Sequence, residues 1–279
     1  MAEPTQPIAA PPLPPPHLPP PRRSLGKVLL VLGLVATGVV LLVTVGLDRP
    51  PAEPPPKPAF TVEEQRPKPG EGVPRPGLAA PPDRPEVSDQ AELDAWAARV
   101  ADKTQVSARV LAAYGRAEMW MAGQKPSCHL SWTFLAGIGR VESRHGRFGG
   151  AEIGADGRVT KPIIGPALDG SPGVQAVKDS DGGKLDGDTT WDRAVGPMQF
   201  VPTTWRKYAA RASSDGAEPD PQNIDDAAFT AARYLCSAGD DLATPAGWWR
   251  AVLFYNQAVT YGQDVFSGAD AYAAASLQP

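Results

Sequence analysis

The chain has 279 residues and a net charge of −4; 23 of its 33 prolines lie before residue 86, and all seven tryptophans lie at Trp96 or later. The first 90 residues therefore cannot build a core of their own, while the 189 that follow suffice for one ordinary domain. Those 189 carry 18 basic and 22 acidic residues, interspersed, which excludes a phosphate-tracking stripe and with it a nucleic-acid partner.

Residues 1–24 are Pro-rich, of polyproline character, and read as a disordered cytoplasmic tail without an assigned function. Residues 25–47 read as a transmembrane anchor, since Val28 to Leu47 is a run of 20 residues without a charge, long enough for a ~30 Å hydrocarbon layer. Arg22, Arg23 and Lys27 precede the run, so the positive-inside rule places the tail in the cytoplasm and the following domain outside the membrane. A cleaved signal peptide is the rival; the run is longer than a usual signal core and no small-x-small cleavage site follows it. Residues 48–88 are again Pro-rich with alternating charges, and read as a disordered extracytoplasmic linker reaching on the order of 130 Å when fully extended.

Residues 89–279 make the expected domain, which is mainly α-helical. Asp89 and Glu92 form a capping-box pair, after which Leu93, Trp96 and Val100 share a face. A second helix is expected from about Val106 to Met121, with Val110, Ala113, Ala117 and Trp120 inward. A third starts after Ser131 and ends near Gly146. From Arg147 to Val195 the chain is rich in Gly and Asp, a length of loop that points to a lid or binding element with room for a small hairpin. Helices then resume at Pro202 with Trp205 and Tyr208, from about Ile224 to Ala238, from Thr244-Pro245 through Tyr255, and from about Gln263 to Ala275.

On the third helix Leu135, Ile138 and Glu142 fall at i, i+3 and i+7, so the Glu142 carboxylate points inward. Burial disfavours its charged form, and a carboxyl that keeps its proton near neutral pH can act as the general acid for a glycosidic bond. The alternative is a buried Glu142 neutralised by Arg140 or Arg144. Gly196-Pro197-Met198-Gln199 reads as a turn in which glycine admits close backbone approach and Gln199 offers both an amide donor and a carbonyl acceptor.

Three segments taken together, Val141-Glu142-Ser143-Arg144-His145-Gly146, Gly196-Pro197-Met198-Gln199-Phe200 and Phe254-Tyr255-Asn256, resemble the lytic murein transglycosylases. The resemblance is to the membrane-bound type B group as found in actinobacterial cell-wall enzymes, and covers about residues 105–275. It implies a lysozyme-like helical fold and cleavage of the β-1,4 bond between N-acetylmuramic acid and N-acetylglucosamine in peptidoglycan, ending in a 1,6-anhydro sugar. Glu142 would be the single catalytic residue, with no cofactor. By the same resemblance Met198, Gln199 and Phe200 line the saccharide groove, and Ser143 bonds a sugar N-acetyl group or the catalytic carboxylate. Tyr255 is expected to aim its hydroxyl at Glu142 or at an N-acetyl group, or else to make a structural bond, and Asn256 to cap or orient the neighbouring helix. The implied partners are peptidoglycan glycan strands and, through one helix, the cytoplasmic membrane; no protein partner is indicated.

The remaining groups decide less. Cys128 and Cys236 are expected to pair in an oxidising compartment, the alternative being two buried thiols. His145 reads as a surface residue, and two domain histidines are too few for a zinc site. Ser213 to Asp220, where relatives of type B can carry a calcium loop, lacks alternating ligands and contains Pro219. Asp179, Asp181, Asp186 and Asp188 alternate oxygens without the full calcium-loop spacing, and serve either calcium or turn geometry. Two rival functions stay open: a hydrolytic muramidase using Asp192 or another loop acid as base, and a non-catalytic glycan-binding scaffold.

Overall fold

The computed structural model describes residues 59–79 and 90–278. The expected tail, the anchor at Val28 to Leu47 and the Asp89 cap lie outside the described residues, among which no helix is long and apolar enough to cross a membrane.

Seven α-helices and one small sheet are present among the described residues: α1 Gln90–Thr104, α2 Ala108–Gln124, α3 Trp132–Ser143, β1 Ile164–Ala167, β2 Arg193–Val195, α4 Pro202–Tyr208, α5 Ile224–Ala238, α6 Pro245–Tyr255 and α7 Val259–Ser276. Side-chain caps set several starts: Ser107 accepts from Val110 N, Ser131 from Thr133 N, Asn223 from Asp225 N and Thr244 from Gly247 N. Leu93, Trp96 and Val100 of α1 are buried, and Trp96 meets Trp132 edge-to-face at 5.2 Å. Ala113, Tyr114 and Ala117 bury the inner face of α2, whereas Trp120 is only half-buried and stacks on Phe229 at 4.6 Å.

The central pairing is α3 on α7. Gly137 allows it: a Cβ there would lie 2.6 Å from the Val265 carbonyl oxygen, and Gly268 faces Gly137 across the contact. Around this pair, α2 packs on α1 and α5, and α6 packs on α5 and α7. Cys128 and Cys236 are bonded, with Cα atoms 5.6 Å apart, tying the turn after α2 to the last turn of α5. Closing a loop of 108 positions stabilises by on the order of 4 kcal/mol in the chain-entropy account.

The Gly/Asp-rich stretch contains the small antiparallel sheet, with Ile164 opposite Val195 and Ala167 opposite Arg193. Single bridges Ile153 to Val159, Asp169 to Ala176 and Lys178 to Trp191 brace the rest. Asp side chains hold its turns: Asp179 accepts from the amides of Asp181, Gly182 and Gly183, and Asp181 from those of Lys184 and Leu185.

One expectation is corrected by the segment 59–79. Composition places it in a disordered linker, yet it lies against the domain. Phe60 stacks on Tyr272 with centroids 5.2 Å apart, and Gln65 Nε2 and Arg75 N donate to the two oxygens of buried Asp270. Gly77 brackets Ser131, and Ala79 N donates to buried Glu118 at 2.9 Å. The stretch lacks the apolar residues for a core of its own. Its few apolar side chains and its extended backbone donors instead meet polar groups that α2 and α7 present, which composition alone does not reveal.

Candidate active site

Glu142 sits in the last turn of α3, and its carboxyl forms no ion pair with Arg140 or Arg144 among the described residues. Its partner is Tyr261 on the first turn of α7, whose hydroxyl donates to Oε1 at 2.5 Å. Burial pushes the Glu142 carboxyl up to about 7, with the Tyr261 hydrogen bond opposing it in part. Tyr261 itself stays a donor, since burial and the adjoining carboxylate hold its own ionisation far above the usual range. Glu142 lines an open cleft of about 470 Å³, together with Val141, Ser143, Arg144, Arg147, Phe148 and two glycines. A protonated carboxyl with one oxygen held by a phenol, at the wall of a cleft, can donate a proton to a bound acceptor and receive one back.

Ser143 is not a cleft donor. It is buried, donates to Pro197 O at 2.6 Å and accepts from Gly146 N at 2.7 Å, so it joins the end of α3 to the Gly196 turn. Ser143 thus lines the cleft with its hydroxyl proton given to Pro197 O, and not to Glu142 as one of the two expectations had it. His145 is corrected as well: it is buried between Tyr114 Oη, 3.2 Å from Nδ1, and Tyr272 Oη, 2.8 Å from Nε2. Burial, then Arg147 and Arg140, lower its pKa to about 3, so it is neutral at any working pH.

The turn from Val195 to Phe200 is closed by paired backbone bonds between those two residues at 2.9 and 3.0 Å. Gly196 has φ +77°, and a side chain there would strike the Pro221 carbonyl, so close packing rather than ligand approach explains this glycine. Gln199, at φ +50°, turns its amide back onto Gly196 O at 2.9 Å. Met198 and Phe200 are 0% and 2% exposed; they are core side chains and not groove walls. Phe200 packs against Trp205, Tyr234 and Tyr255. Tyr255 donates to Met198 O at 2.7 Å instead of to Glu142, and lies parallel to Tyr261 at 6.5 Å, a support one step behind the acid. Asn256 ends α6, and its side chain accepts from Ala258 N at the start of α7.

The acidic loop also departs from expectation. Asp179, Asp181 and Asp192 bring oxygens within 4.8 Å of one another. Asp186 and Asp188 are directed elsewhere, to Arg193 N and to the Arg193 guanidinium. The three grouped carboxylates accept loop amides, and Asp192 uses both oxygens on Ser180, so turn geometry accounts for them. Asp192 is fully buried, which removes it as a base for water.

Sequence reasoning missed Tyr261 and the Tyr114–His145–Tyr272 group. The only signal for Tyr261 was its place just ahead of the expected last helix, which in fact begins at Val259.

No protein-family model and no curated protein sequence matches the chain. Among solved structures, the Escherichia coli lytic transglycosylase Slt35 in complex with bulgecin A aligns with 66% of this chain and 79% of its own, at a TM-score of 0.38 and 14% identity. At that score the likeness carries no weight for fold or chemistry.

Proposed function

We propose that the chain is a peptidoglycan lytic transglycosylase with a lysozyme-like catalytic domain, cleaving the β-1,4 bond between N-acetylmuramic acid and N-acetylglucosamine. The observation that carries the reading is Glu142: a carboxyl pushed up to about 7 by burial, held on one oxygen by Tyr261, at the wall of an open cleft. The order of Glu142-Ser143, the Gly196 to Phe200 turn and Tyr255-Asn256, which resembles that family, supports the same reading.

In this mechanism Glu142 protonates the glycosidic oxygen as the bond to C1 breaks. The resulting carboxylate then takes the proton of the C6 hydroxyl on the same sugar, whose oxygen closes onto C1. No water is consumed and the proton account closes on one residue. The C6 hydroxyl is tethered to the reacting ring, so its effective concentration is high and a second carboxylate is not required, unlike in hydrolytic glycosidases. Tyr261 stabilises the carboxylate in the interval between the two transfers. The hydrolytic alternative loses its named base with the burial of Asp192. A scaffold has no use for an acid poised at neutral pH.

For localisation we propose a single-pass anchor at residues 25–47 with the domain on the outer side. The positive charges before the run and the Cys128–Cys236 bond, which persists in oxidising compartments, support it.

The test is mass spectrometry of muropeptides released from purified peptidoglycan by the full chain, with Glu142→Gln as control. Products one water lighter than hydrolytic ones, lost in the variant, are expected; products with reducing ends would replace the reading with a muramidase.

A further inference from the structure

Arg144 and Arg147 both line the Glu142 cleft, and both are exposed. Neither guanidinium has a hydrogen-bond or ion-pair partner among the described residues, and Glu142 is the only carboxylate that lines the cleft. They do not serve the acid either: burial raises its pKa and the Tyr261 hydrogen bond opposes it, with no contribution from an arginine. Their backbones are nevertheless fixed, since Arg144 N donates into the last turn of α3 and Arg147 N donates to Ser143 O at 2.9 Å.

The position of Arg144 adds a second observation. It caps α3 in the left-handed region at φ +53°, where glycine fits without cost, and His145 follows at φ +61°. The chain tolerates two successive strained residues here, which aligns with strain kept at ligand sites. Phe148, 57% exposed, stands next to Arg147 as a flat apolar face, and Gly149 beside it has open space where a side chain would be.

We propose that Arg144 and Arg147 form a carboxylate-binding subsite that selects an acidic sugar, with Phe148 as the platform for its ring. The inference rests on reading the cleft as a glycan site and names what that glycan must carry. A guanidinium pairs with a carboxylate through two parallel hydrogen bonds, and a muramic acid unit supplies a carboxylate on its lactyl group when that group is free, or on the attached peptide when the lactyl group is amide-linked. Chitin-like strands of N-acetylglucosamine carry none and are poor ligands.

The test uses the full chain with purified peptidoglycan in two forms, native and with carboxyl groups capped as neutral amides. Sedimentation with the insoluble glycan reads binding, and muropeptide release reads turnover. The Arg144→Gln, Arg147→Gln double variant is expected to lose roughly tenfold in retention on native glycan and to raise KM by a similar factor, with kcat within about threefold. On capped glycan it should match the wild type, because capping costs the wild type the same factor. Glycan stripped of its peptides retains only the lactyl carboxylate; arginine-dependent binding to it assigns the subsite to that group, and its loss there assigns the peptide. Equal retention of variant and wild type on native glycan overturns the subsite, as does an equal loss on both forms. Sedimentation needs no chemistry, so arginine-dependent binding without muropeptide release would sink the proposed reaction and leave the subsite standing. Absence of any retention by the wild type overturns both.

Discussion

Tyr261 and Glu142 are 119 positions apart in the chain and 2.5 Å apart at their oxygens. The pair sets the working point of the site. Burial raises the carboxyl toward neutrality, and the phenol pulls it part of the way back by bonding the charged form. Tyr261→Phe removes only that second influence, so the acid's apparent pKa should move above about 7. Because proton delivery needs the protonated acid, the alkaline limb of the pH–rate profile is expected to shift upward. At the same time kcat falls roughly tenfold, as the carboxylate between the two transfers loses its donor. A profile whose alkaline limb stays put or moves down would show that Tyr261 does not tune this acid.

The same burial has a stability consequence. A carboxyl with a folded-state pKa of about 7, against an ordinary carboxylate range when unfolded, binds more protons folded than unfolded between those values. Stability therefore falls as pH rises through that window. Glu142→Gln cannot ionise and should escape the loss: it is expected to be more stable than the wild type at pH 8 by about 1–2 kcal/mol, after discounting for the partly exposed side chain. At pH 4 the difference should vanish. Urea midpoints at the two pH values check this, and a variant no more stable at pH 8 contradicts a carboxyl raised by partial burial.

How far the sequence carried the reading depends on the range of the forces involved. The helix Ile224–Ala238 was legible to the residue, because Asn223 caps it locally and Ala228, Phe229, Ala232, Leu235 and Cys236 recur on the buried face. The last helix begins at Val259, four positions ahead of the expected Gln263. Ala258 offers no side-chain cap, so its start is set by the packing of Tyr261 under Glu142, a tertiary effect. Glu142 itself was legible from the helical period of its own stripe. Tyr255 was not, since nothing local distinguishes a hydroxyl aimed at Met198 O from one aimed at an acid. His145 looked exposed by type, and only Tyr114 and Tyr272, distant in sequence, make its burial affordable.

Ser143 separates a structural from a ligand role. Its removal in Ser143→Ala leaves Pro197 O and Gly146 N without their partner in a buried place. The expected cost is about 1–3 kcal/mol of stability, read as a lower urea midpoint. A residue that merely touched substrate would leave the midpoint within about 0.5 kcal/mol of wild type and raise KM instead. The midpoint and KM measured on one preparation distinguish the two.

The segment 59–79 belongs to the domain in an energetic sense, and a chain that begins at residue 88 should show it. Such a chain loses the Phe60–Tyr272 stack, the donors to Asp270 and the amide that Ala79 gives to Glu118. Two buried carboxylates are left short of hydrogen bonds, and one face of Tyr272 is opened. Since Tyr272 also holds His145 just past Glu142, the loss is transmitted to the turn that follows the acid. The shortened chain is expected to unfold at lower urea by the equivalent of about 3 kcal/mol, against a chain that begins at residue 58. Its muropeptide release should fall as well, because the turn that carries Arg144 and Arg147 would lose part of its support. Coincident unfolding curves for the two chains would mean that the segment rests on the domain without stabilising it.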